Sequence, residues 1–141
     1  MDKAEKGFTL IELVAVITIL GILAAFAYPR FAGLSIKARA STVNALAGSL
    51  RSASLLAHSL ALVQGIAGPI TMEGNSITLV NGYPDLATID DTLLNTTGFT
   101  FDPGTGIFTK DGATSPANCS VDYNEAAAGG TPVIVVDDIN C

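Results

Sequence analysis

The chain opens on a long apolar stretch that begins after residue 7. Residues 8–28 read FTLIELVAVITILGILAAFAY, and Glu12 is their only charged member. At about 1.5 Å of rise per residue, a helix of this length extends about 31 Å, which matches the hydrocarbon core of a membrane. The stretch therefore predicts a helix that spans a membrane.

Downstream of Pro29 the apolar positions adopt a helical period. The residues that recur at spacings of three and four are Val43, Leu46, Ala47, Leu50, Ala53, Ala57, Leu60 and Ala61. This spacing places them on one helix face, so we expect the helix to continue to about Val63 as an amphipathic stem. Pro29 lacks a backbone N–H and crowds the preceding turn, which predicts a helix kink at that residue.

Beyond the breaker run at residues 64–69, short alternating segments predict antiparallel strands. The predicted elements are a strand over 76–80 closed by the turn Asn81–Pro84, a hairpin of 99–101 with 107–109, and a hairpin of 119–126 with 132–137. Leu86, Ile89, Leu93 and Leu94 follow helical spacing and predict a short helix before the first hairpin. The fold class is thus α+β, with a long N-terminal helix packed on a small antiparallel sheet.

The charges are divided along the chain. The 141 residues carry a net charge of -6, yet beyond residue 52 ten acidic residues stand against Lys110 alone. Residues 8–52 carry four basic residues against Glu12. An acidic C-terminal half is repelled by a phosphate backbone, so no nucleic-acid partner is expected. It suits a solvated outer surface instead.

Few residues suggest a chemical site. The two cysteines, Cys119 and Cys141, both lie in the last quarter of the chain, which favours one disulfide and an oxidising compartment. A metal site would need more ligands than these and the distant His58. Asp102 and Asp111 flank a predicted hairpin without the spacing of a calcium loop, which favours solvated turn residues. We expect no catalytic residues, no metal, no cofactor and no enzymatic activity.

The segment Gly7-Phe8-Thr9-Leu10-Ile11-Glu12 resembles the prepilin signature shared by type IV pilins and type II secretion pseudopilins. The short charged segment MDKAEKG precedes the apolar run, whereas a secretory signal is cut after its apolar region. The resemblance implies that a membrane peptidase cleaves between Gly7 and Phe8, N-methylates Phe8 and requires Glu12. Pro29 falls where these pilins have a helix-kinking proline.

The carboxylate of Glu12 is unfavourable inside an apolar span unless it has a partner. After cleavage, the ammonium of Phe8 would lie one helical turn away, and the ammonium of a neighbouring subunit could come as close. Glu12 is therefore the expected assembly residue. The alternative is that Glu12 only complements the dipole at the helix N-terminus. Basic residues lie on both sides of the span, so its membrane orientation follows from the resemblance and not from charge.

The C-terminal region carries a second resemblance. The segment CSVDYNEA at 119–126, a glycine-rich loop, VIVVDD at 133–138 and Cys141 resemble the disulfide-closed end of mannose-sensitive haemagglutinin-type major pilins. The resemblance implies a pilin fold. Its parts would be a leader peptide over 1–7, a transmembrane and filament-core helix over 8–29, an amphipathic helix over 30–63, and an antiparallel β head with a C-terminal disulfide loop over 64–141.

The resemblance implies a structural function. The subunit would polymerise noncovalently with its own copies into a surface pilus used for adhesion or motility. Its other partners would be the prepilin peptidase and methyltransferase and the pilus assembly machinery of the inner membrane. The protein would reside in that membrane before it reaches the extracellular pilus. The alternatives are a type II secretion pseudopilin and a minor tip pilin that acts as a binding module.

Overall fold

The structure, a computed structural model, describes residues 7–139 and Cys141. The predicted leader over residues 1–7 lies outside this part of the chain except for Gly7. One helix, α1 (Leu10–Gln64), precedes a series of short strands, which confirms the α+β class. The chain divides into two compact units between Ser35 and Ile36, inside α1.

Eight strands follow α1 in the described part of the chain. They are β1 (Ile70–Met72), β2 (Asn75–Ile77), β3 (Leu79–Val80), β4 (Tyr83–Pro84), β5 (Phe99–Asp102), β6 (Ile107–Lys110), β7 (Ser120–Asn124) and β8 (Val133–Asp137). Strands β1 with β2 and β3 with β4 form two-stranded antiparallel sheets. Strands β5 to β8 form a four-stranded antiparallel sheet in chain order.

Both predicted hairpins of the large sheet are confirmed. Phe108 of β6 pairs with Phe101 of β5 on one side and with Val121 of β7 on the other. The loop between β5 and β6 ends at Gly106, whose φ is 74°. A Cβ at this residue would lie 2.4 Å from the carbonyl oxygen of Tyr123, so only glycine fits there.

The predicted strand over 76–80 is wrong as a single element, because it is interrupted at Thr78 between β2 and β3. Each part pairs with a different neighbour through a two-residue turn. Glu73–Gly74 joins β1 to β2 and Asn81–Gly82 joins β3 to β4, and all four residues have positive φ, as in type I′ turns. Strand β1 was not predicted, and Tyr83–Pro84 belong to a strand and not to a turn.

At the interruption, the backbone of Thr78 bonds to the following segment. Its N–H donates to Thr88 Oγ1 at 3.1 Å, and its carbonyl oxygen accepts the N–H of Asp85 at 3.0 Å. These bonds replace the pairing that a continuous strand would need at this residue.

The predicted short helix over 86–94 is also wrong, since this segment contains only a 3-10 turn at Asp90–Thr92. Local polar bonds hold the chain in other conformations. The Asp85 carboxylate accepts the N–H of Thr88 at 2.9 Å and its hydroxyl at 2.6 Å. Such bonds compete with the bonds of a helix.

Burial and the neighbouring Asp91 raise the pKa of Asp90.

The core lies between one face of α1 and the sheets. Val43, Ala47 and Leu50 are fully buried in a cluster with Phe108 and Val121. Further along α1, the buried residues Ala57 and Ala61 pack with Ile70, Met72 and Ile77 of the first two strands. At about 25 cal/mol per Å² of apolar surface removed from water, this contact is the main stabilising term of the head.

The β3–β4 turn is fastened to α1 by His58. The His58 Nδ1 lies 2.8 Å from the carbonyl oxygen of Gly82, and its ring stacks on Tyr83 with centroids 4.1 Å apart. The side chain of Asn81 donates to the carbonyl oxygen of Ala126 at 2.8 Å. His58 is thus a packing residue, and the turn ties the helix to the end of β7.

A buried tyrosine joins the same turn to the large sheet. The hydroxyl of Tyr123 donates to the carbonyl oxygen of Pro84 at 2.6 Å. Burial raises the pKa of Tyr123 to about 12, so the hydroxyl keeps its proton and remains a donor at physiological pH.

The predicted disulfide between Cys119 and Cys141 is present, with the Cα atoms 4.7 Å apart and both residues fully buried. It links the start of β7 to the segment after β8. Arg39 Nη1 donates to the carbonyl oxygen of Cys141 at 2.7 Å. The closed segment is therefore fixed to α1 as well as to the sheet.

Replacing Cys141→Ser should lower the stability of the head. The disulfide spans a sequence separation of 22 residues, and closure of a loop of this size contributes about 3 kcal/mol in the chain-entropy model. We expect the melting temperature of the full-length protein in detergent, followed by circular dichroism, to fall by roughly 10 °C or more. Cys119→Ser and the double variant should match it. An unchanged melting temperature would show that the bond does not stabilise the head.

Candidate assembly site

Helix α1 begins with a capping box. Its first residue is Leu10, so Thr9 is the N-cap and Glu12 is the third helical residue. The N–H of Thr9 donates to Glu12 Oε2 at 2.9 Å, and the Thr9 hydroxyl donates to the same oxygen at 2.7 Å. In return, the N–H of Glu12 lies 3.3 Å from Thr9 Oγ1. The box satisfies backbone N–H groups that the first helical turn cannot pair internally.

The capping box orients the carboxylate of Glu12. Its hydrogen bonds go to Oε2, and Oε1 has no hydrogen-bond partner among residues 7–139 and Cys141. The bonds to Thr9 direct the carboxylate back toward the start of the helix, where Phe8 immediately precedes Thr9. An alternative role for Glu12 is to complement the dipole at the helix N-terminus. The capping box shows how Glu12 contacts the helix N-terminus in that role. The sequence signal for a capping box is the spacing Thr-x-x-Glu, which residues 9–12 have.

The bond between Gly7 and Phe8 is placed where a peptidase can reach it. Residues 7–9 lie outside regular secondary structure, and Gly7 and Phe8 are exposed, with Phe8 89% exposed. Exposed segments outside helices and strands are preferred sites of proteolysis. Cleavage at this bond remains a prediction, as do the methylation of Phe8 and the assembly role of Glu12.

The apolar segment that follows is uncovered. Helix α1 is long and apolar enough to cross a membrane, and none of its most apolar 18-residue stretch is buried within the described chain. The core helix of a globular domain would show the opposite. The hydroxyl of Thr18 donates to the carbonyl oxygen of Val14 at 2.8 Å, so its polar group is satisfied inside the helix. Lipid or other protein must cover this surface in water.

Helix α1 continues through Pro29. Since proline has no backbone N–H, the carbonyl oxygen of Ala25 lacks its usual partner in the helix. A kink at Pro29 remains a prediction.

The acidic side chains beside the β5–β6 hairpin form hydrogen bonds with nearby residues of the same hairpin. The Asp102 carboxylate accepts the N–H of Gly104 at 2.9 Å, and the Asp111 carboxylate accepts the hydroxyl of Thr100 at 2.8 Å. Over residues 7–139 and Cys141, no group of three histidine, cysteine or acidic residues could hold a metal ion.

A family model described as the prokaryotic N-terminal methylation motif matches residues 2–28. The major component PilA5 of the type IV narrow pilus of Thermus thermophilus is 54% identical over 52 residues, which are 37% of this chain and 45% of that protein. The type IV major fimbrial protein FimA of Dichelobacter nodosus is 43% identical over 53 residues, 38% of this chain and 34% of FimA. Fimbrial protein EcpB of Eikenella corrodens is 50% identical over 56 residues, 38% and 35% of the two chains.

No solved structure significantly matches the chain. The chain spans less than half the length of each of these curated relatives. None of these three relatives is named as a mannose-sensitive haemagglutinin pilin, so the resemblance to that type remains a prediction. The methylation motif, the similarity of the first third of the chain to type IV major pilins, and the order of a long apolar helix before antiparallel strands all support a type IV pilin.

Proposed function

We propose that the chain is the structural subunit of a type IV pilus, cleaved after Gly7 and polymerised noncovalently. One observation carries the proposal: the apolar segment at the start of α1 buries nothing within its own chain. A folded head with an uncovered apolar helix has two stable environments, a membrane and a bundle of identical helices. The relatives PilA5 and FimA are named as major pilus or fimbrial components, which supports the second environment for the assembled protein.

Cleavage would create the second half of an ion pair. In the uncleaved chain Phe8 N is an amide, whereas after cleavage it is an ammonium, and N-methylation preserves its positive charge. This cation would then stand beside the capping box, and Glu12 Oε1 would be available to accept from the ammonium of a neighbouring copy. A carboxylate and an ammonium in an apolar environment each need a partner. The pair therefore sets the axial register of an incoming subunit.

The ion pair would supply selectivity, because the hydrophobic effect supplies little. Lipid tails are as apolar as leucine side chains, so transfer of the helix from membrane to bundle is nearly neutral in hydrophobic terms. Association with another copy is favoured over contact with lipid by close packing of the helices and by the Phe8–Glu12 pair. Nothing in this function requires a catalytic group.

The disulfide supports an oxidising compartment outside the cytoplasm for the head. The subunit would wait in the inner membrane, where the peptidase and methyltransferase and the pilus assembly machinery act on it. It would then enter an extracellular pilus that serves adhesion or motility.

The first prediction from this proposal is that the mature chain begins at Phe8. Mass spectrometry of intact subunits sheared from the cell surface should give the mass of residues 8–141 with one disulfide and one added methyl group. Fragmentation should place that methyl group on the Phe8 nitrogen. The precursor in peptidase-deficient cells provides the control. Filaments whose subunits retain residues 1–7 would contradict the assignment of the cleavage site.

The second prediction is that the charge of Glu12 is needed for assembly but not for membrane residence. Gln at the third helical residue can still complete a capping box but cannot form an ion pair. Glu12→Gln should therefore give cleaved, membrane-held protein with few filaments by electron microscopy, as should Glu12→Ala.

The matched control is Thr9→Val, which removes the hydroxyl of the capping box and retains the Glu12 charge. It should form filaments far better than Glu12→Gln. Cleavage must be verified by mass in each variant, because a processing defect would also abolish assembly. Normal filament yield from fully cleaved Glu12→Gln would refute the pairing mechanism and leave α1 as a membrane anchor only.

A further inference from the structure

The head contains an open cleft of about 790 Å³. One wall is a face of α1 formed by small residues, among them Ala45, Gly48 and Ser52. The opposite wall is the segment Thr92–Asn95, which follows the 3-10 turn. The whole cleft lies within the second unit of the chain, residues 36–141.

The lining of this cleft is apolar and uncovered. Leu94 is 85% exposed and Leu56 is 61% exposed, and both face the cleft as lining residues. A Cβ built at Gly48 would meet nothing within 4 Å, so the helix surface is open at that position. Exposed leucines beside an open helix face indicate a contact surface.

The rim of the cleft is acidic. Glu73 is one of its lining residues, and Asp90 and Asp91 precede the Thr92–Asn95 wall directly. Burial and repulsion by Asp91 raise the pKa of Asp90.

The single basic residue of the β head cannot neutralise this rim. Lys110 Nζ donates to the carbonyl oxygen of Gly98 at 2.6 Å and lies 4.9 Å from the centroid of the Phe99 ring. The Lys110 ammonium is thus held by Gly98 and Phe99. A cation that pairs with the acidic rim has to come from outside the β head.

A complementary surface exists on the same chain. Between Glu12 and Glu73 the sequence has no acidic residue, and it carries Arg30 and Lys37 in the helix. Leu34 is four residues after Arg30 and three before Lys37, so the three side chains share one helical stripe. Phe31 beside them is 67% exposed and Leu34 is 59% exposed. This segment, residues 30–37, is an apolar helix surface with two cations and no anion.

We propose that the cleft of one subunit receives the 30–37 segment of a second copy, with Arg30 and Lys37 against the acidic rim and Phe31 and Leu34 against the leucines. This contact rests on the proposed filament function and adds to the Phe8–Glu12 pair. Because the two surfaces differ, the contact is heterologous, and its repetition builds an open-ended polymer.

Photochemical cross-linking in native filaments tests the contact. Benzoylphenylalanine placed at Leu94 should give covalent dimers on irradiation, visible on a denaturing gel. After trypsin digestion, the captured peptide should be residues 31–37, FAGLSIK, because trypsin cuts after Arg30 and Lys37. The matched control is the same probe at Val133, which is 57% exposed and is not among the cleft residues. It should not capture this peptide.

Capture of a head peptide or of another protein at Leu94, or no dimer at all, overturns the proposed contact. The proposed filament function fails separately, if deletion of the gene leaves the filaments unchanged.

Charge reversal tests the same contact by a different readout. Lys37→Glu should lower the filament yield per cleaved subunit about tenfold, the effect of losing about 1.4 kcal/mol of association free energy. Glu73→Lys in the same chain should restore much of the loss, because the pair is then reversed. Lys110→Glu is the control, because it changes the net charge by the same amount at a residue outside the proposed contact. Adding Glu73→Lys to Lys110→Glu should not raise the filament yield. An undiminished yield from Lys37→Glu, or no recovery in the double variant, would contradict the charge complementarity.

Discussion

The uncovered apolar start of α1 is the constraint on which the rest of the structure depends. A helix that is apolar on every side has to be surrounded by protein or by lipid, and none of the most apolar stretch of α1 is buried within the described chain. The second part of the same helix is different, because only one of its faces is apolar. That face is buried against the strands, with Val43, Ala47 and Leu50 at the centre of the core. One continuous helix thus supplies both the uncovered apolar surface and part of the core of the head.

The capping box gives this arrangement a defined starting point. A helix end inside an apolar environment has unpaired N–H groups and no water to satisfy them. Thr9 and Glu12 satisfy two donors within the chain, so the helix can begin close to the predicted cleavage site without a solvated cap. The same bonds hold the carboxylate at a fixed position. In the proposed filament, an ammonium from a neighbour would find its partner already oriented, which lowers the entropy lost on association.

The sequence predicted the elements whose signals are local and strong. The long helix, its buried stripe and both hairpins of the large sheet follow from periodicity and turn residues. It did not predict β1, because this strand has only three residues. It lies between the breaker run before Ile70 and the Glu73–Gly74 turn, so it is too short to show an alternating pattern. The short helix over 86–94 was wrong because Asp85 and Thr88 form local bonds that periodicity does not reveal. The motif predicts an assembly role for Glu12, and that role remains a prediction. The cleft is formed by segments distant in sequence, and no sequence pattern shows that Gly48 and Leu94 line the same space.

The division of charge restricts how copies of this chain can meet. Two heads that approach each other through their acidic surfaces repel, because the cation of the β head, Lys110, is held by Gly98 and Phe99. The helix between Glu12 and Glu73 carries basic residues alone, so two such helices also repel wherever their cations face each other. A head and a helix attract. Electrostatics within about a Debye length, about 8 Å at physiological salt, therefore favours contacts between unlike surfaces of different copies over symmetric dimers. An isologous dimer would close and stop growing, whereas a contact between unlike surfaces leaves one of each unpaired at the ends of every assembly. The charge pattern and the uncovered helix thus favour the same outcome, an assembly that can continue to grow.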